Sequence, residues 1–201
     1  MNILKNNEMK TYSNDFNQIL NESSLIRKKI SEDKILIENI NKTIGLITSA
    51  FAGGNKVLFC GNGGSAADAQ HLAAEFSGRF YKDRDPLPSE ALHCNASYLT
   101  AVANDYGYEF IYSRLLKGIG SSGDILIGIS TSGNSKNIIN AFEVAKQKNI
   151  TTIALTGSNG GKMKLNADIL LNIPSDDTPR IQEMHILIGH FICEMVEKNL
   201  F

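Results

Sequence analysis

Apolar positions divide the chain into two parts with different periods. From about Asn14 to Phe51, apolar residues recur at intervals of three, four and five without a proline, which is typical of amphipathic helices. The polar run SEDK, Ser31 to Lys34, predicts a break between two helices. Because the pair carries more apolar surface than two helices on one sheet need, we expect it either to pack against another subunit or to cap the chain's own core.

After residue 53, short β-rich runs alternate with helical patterns. We expect helices to Phe76, from about Ala96, from about Ser135 to Lys148, and from Pro179 with Thr178 as its N-cap. The expected strands are 56–60, 90–94, 124–129, 151–155 and 167–173. This alternation predicts an α/β fold, a doubly wound parallel sheet flanked by helices, with ligands at the carboxyl ends of the strands.

Length and composition favour one structural unit with an ordinary surface. The 201 residues are 42% apolar and carry a net charge of -1, which gives no field for attracting nucleic acid or an anionic membrane. We expect residues 1–52 to form a helical segment of an oligomeric bundle and residues 53–201 to form the α/β domain. No apolar stretch is long enough to span a membrane, and MNILKNNEMK lacks the apolar core of a secretion signal, so we expect a frayed polar end.

The cysteines indicate a reducing compartment. Cys60, Cys94 and Cys193 show no CxxC spacing and lie in apolar stretches of sequence, so we expect buried free thiols in a cytoplasmic protein.

Two serine- and glycine-rich loops each follow an expected strand and precede an expected helix. They are GNGGS, from Gly61 to Ser65, and STSGNS, from Ser130 to Ser135. Free N–H groups and the helix dipole make such a junction an anion site, and serine hydroxyls add donors. The alternative is a turn with a cap, since Ser65 and Asp68 fit a capping box and Ser135 could cap its own helix.

Nucleotide motifs fit the first loop poorly. Gly61, Gly63 and Ala66 match G-x-G-x-x-A, but the second expected strand ends in residues 93–95 without the acid that would hold a ribose. The chain has no Walker A sequence. A sugar phosphate is therefore the favoured anion.

Four polar residues on two helices could form one site. His71 and Glu75 are one turn apart, whereas Gln182 and His190 are two turns apart on the last helix, with His185 on a different side. Two imidazoles, a carboxylate and an amide oxygen would suit zinc. The alternatives are a surface His–Glu contact and a satisfied core histidine, and the sequence does not tell whether the two helices meet.

Several segments together resemble the phosphoheptose isomerases, or sedoheptulose 7-phosphate isomerases, of the sugar isomerase (SIS) fold. They are CGNGGSAADAQHLAAEFSGRF, VANDYGYEFIYSR, GDILIGISTSGNSKNIINAFEVAK, TIALTG followed by GGKM, and RIQEMHILIGHFICE. The resemblance covers nearly everything from Lys56 to Glu197. It implies conversion of sedoheptulose 7-phosphate into D-glycero-D-manno-heptose 7-phosphate, toward the heptose of bacterial surface polysaccharides. It also implies a homotetramer with a central bundle of N-terminal helices, active sites at subunit interfaces and one zinc per subunit.

The resemblance further implies roles for individual residues. For the aldose–ketose exchange that the resemblance implies, we choose Glu75 as the catalytic base and His190 as the partner acid. The metal ligands would be His71, Glu75, Gln182 and His190. The substrate would meet Asn62, Gly63, Gly64, Ser65, Asp68, Glu75, Arg79, Asn104, Asp105, Ser130, Thr131, Ser132, Ser135 and Gln182. One departure is Pro179, where some members of the family have an aspartate, so we expect that role to be lost or supplied by Asp176, Asp177 or Thr178.

Two other functions stay open at this point. One is a tetrameric regulator that binds the replication initiator protein, as a relative in the same subfamily does; an adaptor of that kind could lose the four polar residues that an enzyme keeps. The other is an isomerase of a different sugar phosphate, such as a pentose phosphate, although the chain is shorter than the common two-module form of that group.

Overall fold

The computed structural model describes residues 11–201, and these form a five-stranded, fully parallel sheet with the strand order β2-β1-β3-β4-β5. Helices cover both faces, so the expected doubly wound α/β class is confirmed. The strands are β1 (Val57–Gly61), β2 (Ser89–Ala91), β3 (Ile125–Ser130), β4 (Thr151–Thr156) and β5 (Ile169–Asn172).

The helices follow the expected order, with one addition. They are α1 (Ser13–Glu32), α2 (Lys34–Ala52), α3 (Gly64–Ser77), α4 (Ala96–Tyr106), α5 (Ile111–Ile119), α6 (Lys136–Gln147) and α7 (Thr178–Leu200). Short 3-10 turns lie at Tyr108–Phe110 and Met163–Leu165. The sequence pattern predicted a helix from about Ala96 but not the separate α5. Gly107, with φ 103°, ends α4 and redirects the chain.

Alternating strand residues build a separate core on each face of the sheet. Phe59 and Ile127 pack with α2, α3 and α7, whereas Leu58 and Leu126 pack with α5 and α6 on the other face. Each fully buried side chain of this size contributes roughly 1.5–3 kcal/mol to folding. Both faces are therefore fixed, and the strand ends between them form a rigid platform.

The predicted break between the first two helices is confirmed at Asp33. Its carboxylate accepts hydrogen bonds from the backbone N–H groups of Ile35 and Leu36, each at 3.0 Å, and so caps α2. α2 packs into the core that contains α7. The division at residues 52 and 53 stays a prediction about organisation, because both sides of it contribute to one core.

The expected caps of three helices need correction. The N-cap of α7 is Asp177, so Thr178 is its first residue and Pro179 its second. α3 begins after Gly63, which places Ser65 inside the first turn and leaves no capping box with Asp68. Ser135 does occupy the N-cap position of α6, but its side chain makes no capping hydrogen bond.

Two smaller expectations were also wrong. β2 is only Ser89–Ala91 because the chain turns directly after it: the N–H of Leu92 still donates to the carbonyl of Phe59, but that of Cys94 donates back to Ala91. Cys60 and Cys193 are buried free thiols, as expected, but Cys94 follows that short strand and is exposed.

The expected frayed end at residues 1–10 lies outside the described residues. Within residues 11–201, no helix combines the length and apolar character needed to cross a membrane.

Candidate active site

A polar cleft of about 280 Å³ lies at the carboxyl ends of β1 and β3. It contains most of the residues that the two loops were expected to contribute, together with Thr178, which was not among the expected substrate contacts. The lining residues are Asn62, Gly64, Ser65, Ile129, Ser130, Thr131, Ser132, Ser135, Thr178 and Gln182. The cleft lies at the strand ends where the crossover direction switches, which is where the sequence analysis expected a ligand, and ligand binding there stays a prediction.

Three helix N-termini meet at this cleft. α3 begins at Gly64, α6 follows Ser135 and α7 begins at Thr178, and all three residues line the cleft. Each N-terminus carries a partial positive charge and unpaired N–H groups. Among the described lining residues, none is a lysine or arginine. The cleft can therefore hold a phosphate by dipoles and hydroxyl groups alone.

The second loop is held in one conformation by the segment after β4. Ser130 Oγ lies 2.9 Å from Ser135 Oγ, and the N–H of Asn134 donates to Ser132 Oγ at 3.2 Å. Gly133 has φ 62°, and a Cβ there would lie 2.2 Å from the carbonyl oxygen of Gly160. Only glycine fits this close approach. The serine hydroxyls are consequently fixed before any ligand arrives.

The first loop is equally constrained by its glycines. A Cβ on Gly61 would lie 2.2 Å from the carbonyl oxygen of Ser65, and Gly63 has φ 56°. The side chain of Asn62 pairs with the amide of Asn137 and accepts a hydrogen bond from Tyr108 Oη at 3.1 Å. Sequence reasoning missed Asn137 and Tyr108. No short-range signal marks them, because they lie 75 and 46 positions from Asn62.

The two helices that carry the polar residues do meet. Gly189 of α7 packs so closely against α3 that a Cβ there would lie 2.5 Å from Leu72 Cδ1. Beside this contact, His71 Nε2 lies 2.8 Å from His190 Nε2 and 3.0 Å from Glu75 Oε1. His190 Nε2 lies 4.0 Å from the same carboxylate oxygen.

These three side chains form a group that could bind a metal ion. One potential ligand atom from each of His71, Glu75 and His190 lies within 4.8 Å of the others. Two imidazoles and a carboxylate are the donor set that first-row divalent metals favour. His71 is half exposed, at 51%, so the group opens to the surface of the chain.

Gln182 lines the cleft at the start of α3. Its Nε2 is 3.5 Å from Ser65 Oγ, and its side chain also packs against Gly64. Eight residues of α7 separate it from His190, a rise of about 12 Å. Gln182 is thus a lining residue of the cleft, and its role as a fourth ligand stays a prediction.

Six expected substrate residues are not among the described residues that line the cleft: Gly63 and Glu75, whose places are given above, and Asp68, Arg79, Asn104 and Asp105. Asp68 lies one turn before His71, and its Oδ2 is buried with no hydrogen-bond partner among residues 11–201. Burial raises the pKa of the Asp68 carboxyl, and the electrostatic attraction of His71 acts in the opposite direction. Arg79 is exposed after α3 and reaches the carbonyl of Tyr81 at 3.5 Å. Asn104 and Asp105 hydrogen-bond to each other at 2.9 Å on the exposed part of α4. Their substrate contacts remain predictions.

His185 lies away from the group, as its position on the helix predicted. It is fully buried, and its Nε2 is 3.1 Å from the carbonyl oxygen of Thr156 at the end of β4. Burial lowers its pKa to about 4, although this hydrogen bond opposes the shift. A neutral His185 therefore donates to the carbonyl oxygen of Thr156 and fixes the end of β4. The loop that follows β4 contains Gly160, which packs against Gly133 of the second loop.

The cleft and the His/Glu/His group together suit a phosphorylated sugar. Ser65 and His71 are six residues apart on α3, a rise of about 9 Å, which is comparable to the length of a sugar chain. A phosphate held in the cleft would thus leave the other end of the sugar beside Glu75 and His190. A base, an acid and an electrophile at that end are what an aldose–ketose exchange needs.

Comparisons with known proteins agree with this geometry. The SIS domain family model matches residues 18–157. A phosphoheptose isomerase of Sulfurimonas denitrificans is 55% identical over 182 residues, covering 90% of this chain and 93% of its own. The phosphoheptose isomerase of Clostridium acetobutylicum is 52% identical over 175 residues, covering 87% of this chain and 89% of its own.

Solved structures match to the same extent. The phosphoheptose isomerase of Neisseria gonorrhoeae superposes with a TM-score of 0.87 at 40% identity, and that of Francisella tularensis with 0.89 at 34%. Each match covers 94% of this chain and all of the other. The chain therefore belongs to the SIS-domain family and, within it, to the phosphoheptose isomerases.

Proposed function

We propose that this chain converts sedoheptulose 7-phosphate into D-glycero-D-manno-heptose 7-phosphate and so supplies heptose for a bacterial surface polysaccharide. As a member of the phosphoheptose isomerases, the chain is an aldose–ketose isomerase. The observation that supports the substrate best is the adjacency of a cation-free phosphate cleft and the His71, Glu75 and His190 group. The cleft holds the phosphate, and the group acts at the opposite end of the sugar.

In the proposed reaction, Glu75 takes the proton from C1 of the ketose and returns it to C2. The C1 hydroxyl becomes the aldehyde and the C2 carbonyl becomes a hydroxyl, through an enediol or enediolate. His190 supplies and accepts the proton at the oxygen atoms. The cleft residues orient the two reacting carbons by fixing the phosphate, which lowers the entropic part of the barrier.

We further propose that the metal is zinc, one per subunit, with Gln182 as the fourth ligand. The converging imidazoles and carboxylate fit such an ion. When bound, zinc would polarise the carbonyl and hydroxyl oxygens of the sugar. A carboxylate next to a dication becomes less basic, so Glu75 must leave the ion or receive help when it takes the proton.

Metal content tests this assignment directly. Elemental analysis of the purified chain should find about one zinc per subunit, and His71→Ala should lose it. His93→Ala is the matched control, because His93 lies outside the group. Equal zinc in His71→Ala and the unaltered chain, or full activity in a metal-free sample, would leave the three residues as a hydrogen-bonded cluster.

A substrate panel tests the proposed specificity. The catalytic efficiency kcat/KM for sedoheptulose 7-phosphate should exceed that for pentose 5-phosphates at least about 100-fold, because the shorter sugars leave polar groups of the site unpaired. Isomer formation can be followed by NMR. An equal or greater efficiency on a pentose phosphate would contradict the assignment in favour of the other isomerase.

We also propose a homotetramer with a central bundle of N-terminal helices and active sites at subunit interfaces. The apolar stripe of α1 supports it. Ser23 and Ile26 on this stripe are buried against the chain itself, but Phe16, Ile19 and Leu20 continue the stripe and are exposed. The half-exposed His71 is consistent with a site that a neighbouring subunit completes. The cytoplasmic setting expected from the cysteines stays a prediction.

A further inference from the structure

A reciprocal pair of amides connects the two loops of the cleft. Asn62 Nδ2 donates to Asn137 Oδ1 at 3.0 Å, and Asn137 Nδ2 donates back to Asn62 Oδ1 at 2.8 Å. Asn62 belongs to the first loop and lines the cleft, whereas Asn137 is in the first turn of α6, directly after the second loop. Asn137 is only 3% exposed, so its amide has no access to a ligand and acts through Asn62.

The backbone fixes which way this pair faces. The N–H of Ile138 donates to Asn137 Oδ1 at 3.0 Å, so this oxygen is fixed as an acceptor for both Ile138 and Asn62, and the nitrogen of Asn137 is left to donate to Asn62 Oδ1. Asn62 Oδ1 therefore receives the amide of Asn137, and it also accepts the hydroxyl of Tyr108 at 3.1 Å. A flip of the Asn62 amide would place N–H against N–H and oxygen against oxygen, so it would lose both hydrogen bonds with Asn137.

This orientation determines what the first loop presents to an anion. Asn62 Nδ2 has two N–H groups, and only one has a partner in the described part of the chain. The second is free to donate, and Asn62 lines the cleft. A flipped amide would present a carbonyl oxygen instead, which repels a phosphate. The difference matters because the described lining residues include no cation to compensate.

We propose that Asn137 is a positioning residue that, together with Tyr108, holds the amide of Asn62 so that its free N–H donates to the sugar phosphate. The pair also ties the first loop to the α6 N-terminus, so both loops are aligned before the phosphate binds. The inference rests on the proposed function only for the identity of the sugar, because Asn137 would orient the amide of Asn62 in the same way toward any phosphate in the cleft.

Asn137→Asp is the direct test. Aspartate keeps the acceptor for Ile138 and Asn62 but places a second carboxylate oxygen, which cannot donate, against Asn62 Oδ1. We expect KM for sedoheptulose 7-phosphate and the dissociation constant for inorganic phosphate, measured by calorimetry, to rise about tenfold, while kcat changes less than about threefold.

Asn140→Asp is the matched control for added charge. Asn140 is one turn further along α6, and its amide donates to the backbone carbonyl of Glu109, outside the cleft. We expect both constants to stay within about twofold of the original values. Equal losses in Asn137→Asp and Asn140→Asp, or unchanged constants in both, would overturn the proposal.

A double-mutant cycle tests whether Asn137 acts through Asn62. In the Asn62→Ala background, Asn137→Asp should raise the phosphate dissociation constant by less than about twofold further. A tenfold rise in that background would show a direct effect and overturn the positioning role. If thermal melts show that Asn137→Asp is unfolded, Tyr108→Phe is the substitute test, because it removes the hydroxyl that donates to Asn62 Oδ1. A phosphate dissociation constant about threefold higher in Tyr108→Phe would support the proposal, and an unchanged constant would overturn it.

The phosphate measurements also separate this inference from the proposed function. An unaltered chain that binds phosphate but does not isomerise sedoheptulose 7-phosphate would refute the proposed function alone. The phosphate constants of the variants would then still decide the role of Asn137.

Discussion

Glu197 is a buried carboxylate that holds the segment after α3 against the candidate site. Its two oxygens accept hydrogen bonds from the backbone N–H groups of residues 80–82, at 2.8 to 3.1 Å, and from Arg84 Nε at 3.1 Å. The ring of Phe80 in this segment packs on His190, with centroids 5.8 Å apart. A structural carboxylate thus supports one wall of the His/Glu/His group.

Replacing this carboxylate should be costly. Glu197→Gln leaves the buried Arg84 without its counter-charge, so we expect the free energy of unfolding at pH 7 to fall by about 3 kcal/mol. Glu194→Gln is the control on the same helix. Glu194 pairs with the more exposed Lys198, so its loss should cost less than about 0.5 kcal/mol. Urea unfolding at one protein concentration measures both, and equal costs would contradict the structural role.

The contribution of Glu197 should depend on pH in a defined direction. Burial acts to raise the pKa of Glu197, but the three backbone N–H groups and Arg84 outweigh it and lower the pKa below its ordinary 4.5. A lowered folded-state pKa stabilises the fold above the unfolded-state value. The stability difference between Glu197→Gln and the unaltered chain should therefore shrink as the pH falls below 4.5 through the folded-state pKa.

Residue types and spacing predicted some members of the site better than others. His71 and Glu75 share a helix face by local geometry, and His190 interrupts an apolar helix, so each carries a local signal. Asn137 carries none, because an asparagine in a first helical turn is also an ordinary end-of-helix residue. Thr178 was expected as a cap, since Asp177 and Thr178 can both cap a helix, and only the structure shows that Asp177 takes this role.

At the level of elements, α1 is the least self-sufficient part of the described chain. Its second half packs through Ile26 on the core, while Phe16, at 61% exposed, and Leu20, at 48%, continue the same stripe without cover from the described residues. An apolar stripe of this length on a surface helix is typical of an interface. The proposed bundle of N-terminal helices would bury it.

Charges on this stripe should disrupt the assembly. Phe16→Asp with Leu20→Asp should convert a tetramer into smaller species in sedimentation analysis, because burying two charges in an apolar bundle is unfavourable. Asn21→Asp is the control, since Asn21 is exposed on the other side of α1. An unaltered chain that sediments as a monomer would end the bundle proposal, and so would a doubly charged variant that remains tetrameric.

The observed bounds of the central strands of the sheet agree with those predicted from the sequence, whereas the bounds of the edge strand β2 do not. β3 and β4 are central strands that are buried on both faces, and their bounds were predicted within one residue. β2 was predicted too long, because the run EALHC does not reveal the turn in which the N–H of Cys94 donates to the carbonyl of Ala91. The separation of α4 from α5 depends on the backbone of Gly107 and was not predicted.

The whole molecule combines a near-neutral chain with a cleft whose lining favours an anion. Its net charge of -1 gives no long-range attraction, so selectivity comes from the three helix N-termini and fixed hydroxyls at the strand ends. The sequence predicted this architecture because apolar strands and serine-rich loops alternate in a regular order. The meeting of α3 with α7 depends on tertiary packing at Gly189, and it could not be read from either helix alone.

The central claim is that Glu75 transfers the proton that interconverts the two heptose phosphates. The most direct measurement is the turnover of sedoheptulose 7-phosphate by the unaltered chain and by Glu75→Gln, with Glu143→Gln, an exposed glutamate on α6, as the control. The account predicts that Glu75→Gln still binds the substrate but turns it over about 10²–10⁴ times more slowly, while Glu143→Gln is unaffected. Near-normal turnover by Glu75→Gln, or no turnover by the unaltered chain, would contradict it.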